Sequence, residues 1–178
     1  PAIRRAIEAT PPGQSRSLVV PTDAWLQLNG SELVLDNVSV SLRSRGNGAK
    51  LDGQGLSRHF TLKNGASLLL AFVELTCGGG VTEGASLRVD SRSSAMLVNS
   101  AITNAALVVD GSNNVFGGAV FLSFSSAIFL NSTIADVTVM TSEGNVYGAA
   151  MYLYSGSSVM LTGSTMAGVT VTTSEGDV

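Results

Sequence analysis

The sequence predicts an all-β protein: a right-handed parallel β-helix, or solenoid, with three short strands per coil and a short N-terminal capping helix. Three observations predict it. The chain of 178 residues is 44% hydrophobic but only 13% charged, against a usual charged share of about 25%. With 20 Gly, 4 Pro and abundant Ser, Thr, Asn and Val, it suits many short strands joined by tight turns. The chain also repeats itself at one fixed period. Ser93-Ser94-Ala95 returns as Ser125-Ser126-Ala127 (125 − 93 = 32), and Thr141-Ser142-Glu143-Gly144 returns as Thr173-Ser174-Glu175-Gly176 (173 − 141 = 32). Finally, each period holds three apolar runs, such as AVFLSF (119–124), AIFLN (127–131) and VTVMT (137–141). Runs of about five residues are strand-sized and too short for helices.

The elements follow in order. Ile3 and Ile7 share one helical face, and Pro11-Pro12 ends the helix. Residues 1–16 form a cap over the open end of the first coil, where unpaired strand edges invite aggregation. Coils fill 17–178 as one domain. SLVVP (17–21), AWLQL (24–28) and ELVLDNVSVSL (32–42) read as successive strands. SSAMLVNSAI (93–102), SSAIFLNSTI (125–134) and SSVMLTGSTM (157–166) align without a gap, and Leu97, Phe129 and Leu161 fall in one core column. The spacing slips by one between Gly117 and Gly148 (148 − 117 = 31), which makes Gly156 a one-residue insertion.

Alternation predicts the inward side chains. Leu33/Leu35/Asn37, Ala95/Leu97/Asn99 and Ala127/Phe129/Asn131 share the pattern apolar-x-apolar-x-Asn, with variants Leu68/Leu70/Phe72 and Val159/Leu161/Gly163. A buried amide must be hydrogen-bonded, so Asn37, Asn99 and Asn131 are expected as an inward architectural ladder. The sequons at Asn131 and Asn37 then have no room for a glycan, which leaves Asn29, in a turn, as the acceptor.

AIRRAIEATPPG…LVVP followed by AKLDGQG (49–55) resembles the opening of right-handed parallel β-helix proteins of the pectin-lyase-like superfamily. LDGQGLSRHFTLKNGASLLL (51–70) and the GGAV stretch at 117–120 resemble the polymorphic outer-membrane-protein repeat of bacterial surface and autotransporter proteins. Where that repeat carries Phe-x-x-Asn, Ile102 is followed here by Asn104 and Ile134 by Asp136. The resemblance implies a β-helix, an extracellular or cell-surface location, and adhesin- or scaffold-like use. Enzymes of the fold act on acidic polysaccharides, so a lyase or hydrolase is the alternative, and a scaffold subunit of a large assembly is another.

Chemistry is sparse. The net charge of −3 and the lack of a basic patch argue against nucleic acid; Arg43, Arg45 and Lys50 read as a solvated loop. Cys77 is the only cysteine, so no internal disulfide forms. No apolar run reaches a membrane span of about 18 residues. Because the repeat breaks off at a corner and residue 1 is Pro, the chain reads as a piece of a longer protein, with further coils beyond Val178.

A catalytic group would centre on Asp52 with Arg58 and His59, but LDGQG reads better as a turn whose Gly53 and Gly55 take unusual conformations. His59 reads as a packed or surface histidine of its strand. Asp90 with Arg88 and Arg92 reads as a surface ion cluster. Acidic corners recur at Glu83, Asp110, Glu143 and Glu175; they are solvated turn residues rather than a calcium cage. No metal and no cofactor is expected. With Leu87/Val89, Val120/Leu122 and Met151/Leu153 inward, Phe121, Tyr152 and Tyr154 face outward, after Arg88 one coil earlier. Such an aromatic row is expected to bind a protein or glycan partner, on a module without catalysis.

Overall fold

The computed structural model describes residues 2–111 and 113–174. The fourth acidic corner, Glu175-Gly176, lies outside the described residues. Helix α1 spans Ala2–Glu8. Its Ile7 is buried against the first coils, and Arg4 donates to the carbonyls of Glu32 (2.6 Å) and Ser31. From there the chain winds about five times through three parallel sheets. Face A stacks Ser15–Val19, Ser39–Arg43, Ser67–Ala71, Ser94–Val98, Ser126–Leu130 and Ser158–Thr162. Face B stacks Trp25–Gln27, Ala49–Asp52, Val73–Thr76, Ala101–Thr103 with Ala106–Val109, Thr133–Thr141 and Thr165–Thr173. Face C stacks Leu33–Asp36, Phe60–Lys63, Leu87–Asp90, Val120–Ser123 and Met151–Tyr154.

Side chains alternate in and out along each strand. Leu97, Phe129 and Leu161 share one inward column, in the register the repeat gives. Gly156 sits with φ 72° in the turn between Tyr154 and Ser158, as the extra residue. The coils are not all of one length. Face A is headed in turn by Ser15, Ser39, Ser67, Ser94, Ser126 and Ser158, so the first turn is the shortest and the last two are the longest. In the later, longer coils the added residues between faces B and C pair Val115–Phe116 with Val146–Tyr147. The inward residues of the last coil, Leu153, Leu161, Met166 and Val169, are exposed, because no described coil covers them.

The asparagine ladder differs from expectation in two ways. Leu33 and Leu35 belong to face C, paired with Phe60 and Leu62, so Asn37 stands in a different corner from Asn99 and Asn131. All three asparagines are also exposed rather than inward. The reason lies in the backbone. At three recurring places along the coils the chain turns through a residue of positive φ, which breaks the two-residue alternation and swings that side chain outward. Asn37, Asn64, Ser91, Phe124 and Ser155 make one such column; Phe72, Asn99, Asn131 and Gly163 make the second; Cys77, Asn104, Asp136 and Gly168 make the third. Their φ values run from 46° to 62°. Asn, Asp and Gly tolerate this conformation, which explains both the recurrent Asn and the Asn104/Asp136 exchange. Asn29 also has positive φ and is exposed, so all three sequon asparagines are accessible to a glycan.

The buried polar ladder is made by the serine that follows the corner residue. Ser100 Oγ accepts from Val73 N, Ser132 Oγ from Ser100 N and Ser164 Oγ from Ser132 N, at 3.0–3.2 Å. At the next corner Ser93 Oγ accepts from Ala66 N and Ser157 Oγ from Ser125 N. Ser100 and Ser132 each also donate to the carbonyl two residues back, both at 2.9 Å. Each hydroxyl thus spans a left-handed residue and holds the coil before it.

This assignment predicts that Ser132→Ala, which orphans the buried Ser100 amide, costs about 1–3 kcal/mol in urea unfolding. Asn131→Gly, which keeps the positive φ, should change stability by less than about 1 kcal/mol. The reverse order would restore the asparagine as the ladder residue.

Candidate functional site

The outward side of face C carries two chemistries. One outward column reads Val34, Thr61, Arg88, Phe121, Tyr152, and the next reads Asp36, Lys63, Asp90, Ser123, Tyr154. The early coils are charged and the later coils aromatic.

The aromatic part contains six rings. Phe116 stacks on Tyr147 at 5.1 Å with 9° between planes, and both approach Tyr152, at 5.3 and 6.2 Å. Tyr152 lies 5.9 Å from Phe121 and 6.3 Å from Tyr154, whose far edge meets Phe124 at 6.5 Å. Phe121, Tyr152 and Tyr154 are therefore contiguous, but not equally open. Tyr154 is 52% exposed and Tyr152 half-buried, whereas Phe121 is only 7% exposed. Its ring is covered by the Arg88 guanidinium, 5.4 Å from the centroid, and by Tyr152. Phe121 supports the surface from beneath instead of presenting it.

The accessible rings include two that alternation misses, Phe124 at 58% and Tyr147 at 39% exposure. Phe124 follows inward Val120 and Leu122, so alternation puts it inside; its φ of 50° turns it out. Phe116 and Tyr147 had a visible signal, since NVFGGA (114–119) and NVYGAA (145–150) place an aromatic at the same point of two repeats. Amides border the stack: Asn145 Nδ2 lies 3.4 Å from the Tyr147 hydroxyl, and Asn145 N donates to Asn114 Oδ1 at 3.0 Å.

The charged part is internally neutralised. Arg88 pairs with Glu83 and, through Nε at 2.6 Å, with Asp90; the third member of the cluster is Glu83, not Arg92. Arg58 is buried and donates to the carbonyls of Gly84 and Glu83, to Thr61 Oγ1 and to Glu32 at 3.1 Å. Burial pulls its guanidinium below the ordinary value, and Glu32 opposes that.

Asp52, Arg58 and His59 do not share one open site, although the charge of Asp52 is felt at His59. Asp52 accepts from Trp25 Nε1 at 3.0 Å and from Gln54 N at 2.7 Å. Arg58 reaches to face C, while His59 is fully buried inside the solenoid. Gly55 has positive φ as expected but Gly53 does not; at Gly53 a Cβ would lie 2.6 Å from the Ser57 carbonyl oxygen, so close approach is what demands glycine. At the acidic corners, Glu83 is taken by Arg88, and Asp110 and Glu143 are exposed. Among the described residues no group of three His, Cys, Asp or Glu is placed to hold a metal.

A second surface has no counterpart in the sequence reading. The outward residues of face A in the last four coils are Ser67, Leu69, Ala71, Ser94, Met96, Val98, Ser126, Ile128, Leu130, Ser158, Met160 and Thr162. None is charged. Comparison of the chain with family models, curated proteins and solved structures finds no match.

The only histidine makes the interior pH-sensitive. Desolvation lowers the His59 pKa from 6.5 to about 4, against the backbone contacts to Thr76 and Leu51 and the charge of Asp52. The unfolded chain then binds this proton at higher pH than the folded one. The contribution is fully present above about pH 6.5, falls as pH drops toward 4, and is gone below it. Its size is about 3 kcal/mol. NMR titration of the single imidazole should give a midpoint near 4, with stability falling between pH 7 and 4.5; a midpoint near 6.5 would mean the ring is solvated.

Proposed function

We propose that this chain is a non-catalytic structural and binding module, of the surface-type β-helix that its repeats resemble, and that it binds glycans through the outer side of face C. The six-ring surface carries this reading. Tyr147, Tyr152, Tyr154 and Phe124 offer ring faces and phenolic hydroxyls, with Asn amides at the border. Stacking on sugar CH faces plus hydrogen bonds to sugar hydroxyls needs this mixture. Phe124 adds a second argument. Its corner conformation turns the ring outward beside Tyr154, where alternation along the strand would have put it inside.

The non-catalytic reading is supported by the state of the carboxylates. Asp52 is held by Trp25 and Gln54, and Glu83 and Asp90 are both held by Arg88. Glycoside hydrolysis needs a pair of carboxyl groups free to exchange a proton and to attack. The uncharged outward side of face A in its last four coils favours a second reading, a scaffold subunit whose flat sheet packs on another protein of an assembly. In either role the location would be extracellular or at a cell surface.

The test is retention on an array of neutral and acidic oligosaccharides. The protein should bind at least one class. Replacing Phe124, Tyr147 and Tyr154 together by Ser should reduce that binding at least tenfold and leave the circular dichroism spectrum unchanged, since no inward column is touched. Binding that survives the triple change would rule this surface out. An array without any bound glycan would leave the scaffold reading.

A further inference from the structure

Among the described residues, three buried side-chain atoms have no partner in the protein: Ser57 Oγ, His59 Nδ1 and Ser86 Oγ. They lie in one region, where the connections from face B to face C of two successive coils press together. Phe60 pairs with Leu87, so His59 and Ser86, each one residue earlier, are stacked neighbours, and Phe60 N donates to Ser86 O at 3.1 Å. Gly79 N donates to Ser57 O at 3.2 Å, which brings the Ser57 turn against the same coil. A Cβ at Gly78 would stand 2.9 Å from Ser86 Oγ, and one at Gly53 would stand 3.0 Å from the Gly78 Cα. Glycines thus let the backbones of the two coils approach closely beside Ser57 and Ser86.

Hydrogen-bond chemistry assigns the imidazole's roles. Nε2 lies 3.0 Å from Leu51 O and 2.9 Å from Thr76 O. Both carbonyls only accept, so Nε2 carries the proton and the neutral ring presents a lone pair at Nδ1. The site therefore holds one unused acceptor and two unused hydroxyls. Three buried polar groups left unpaired would each keep the full penalty of losing their water. We infer that a single ordered water is bound here, donating to His59 Nδ1 and accepting from the Ser57 and Ser86 hydroxyls. Three hydrogen bonds is the usual complement of a buried water. The ligand of this site is solvent rather than substrate, since His59 and Ser86 are fully buried and present no surface to a substrate. Its effect is to clamp the two coils in the connections that lead into the Phe60–Leu87 pair of face C.

The experiment is a crystal structure at pH 7.5, together with urea unfolding of Ser86→Ala. Expected are one density peak within hydrogen-bond distance of Nδ1 and both hydroxyls, and an unfolding midpoint lowered by the substitution. No peak, or a serine hydroxyl bonded directly to Nδ1, would overturn the inference. So would a Ser86→Ala midpoint that is unchanged or raised, because removing an orphaned hydroxyl is neutral or stabilising. If Ser86→Ala does not fold, Ser57→Ala serves for the same comparison, and the peak at Nδ1 still decides.

Discussion

The structure depends on the chain turning at the same place in every coil. Parallel coils can stack only if each corner reproduces the one before it; here a corner is a residue of positive φ, followed at two of the three corners of the later coils by a serine whose hydroxyl accepts from the coil before. Among the described residues, fifteen non-glycine positions have positive φ. The left-handed residue reverses the chain without consuming interior space. The serine hydroxyl then accepts the amide of the neighbouring coil and returns its own proton to a nearby carbonyl. Buried backbone groups must be paired, and at these corners the ladder of the sheets is interrupted. The hydroxyls supply the missing partners, and so they also keep the inward columns in register.

Register decides what stands outside. Once Leu87, Val120 and Met151 are stacked inward, Arg88, Phe121 and Tyr152 must be stacked outward, coil upon coil about 4.8 Å apart. Aromatic rings at that spacing touch, and the result is a continuous surface. The Arg88 cluster closes one end of it and the longer corners of the later coils extend it, because those corners carry Phe116 and Tyr147. A corner that serves mainly to turn the chain has also been used to display a ring at Phe124.

The solenoid is legible in the sequence because periodicity is a global property: a fixed repeat with three apolar runs leaves little else to build. The strand interiors and the Leu97/Phe129/Leu161 column follow from the same alternation. What alternation cannot reach is the corners. There one left-handed residue inverts the sense of inside and outside, which moves Asn37, Asn99 and Asn131 to solvent and brings out Phe124. The burial of Phe121 depends on Arg88 and Tyr152 folding over it, contacts from the coils on either side that no local pattern encodes. The turns from Ser39 to Ser67 (67 − 39 = 28) and from Ser67 to Ser94 (94 − 67 = 27) are shorter than the later ones, so a fixed period misplaces Leu33, Leu35 and Asn37 by one face. For His59 the strand pattern leaves packed and surface positions equally open; its Nδ1 becomes informative only with its neighbours in place.

Stacked coils in this register carry the aromatic surface, and proton–proton NMR contacts measure that register most directly, in a sample of the chain as it stands. Expected are contacts joining Met96 to Ile128 and Ile128 to Met160 on face A, and Phe116 to Tyr147 and Phe121 to Tyr152 at the aromatic surface. Contacts shifted by one residue along any of these strands, such as Phe121 to Met151 or Leu153 in place of Tyr152, would contradict it.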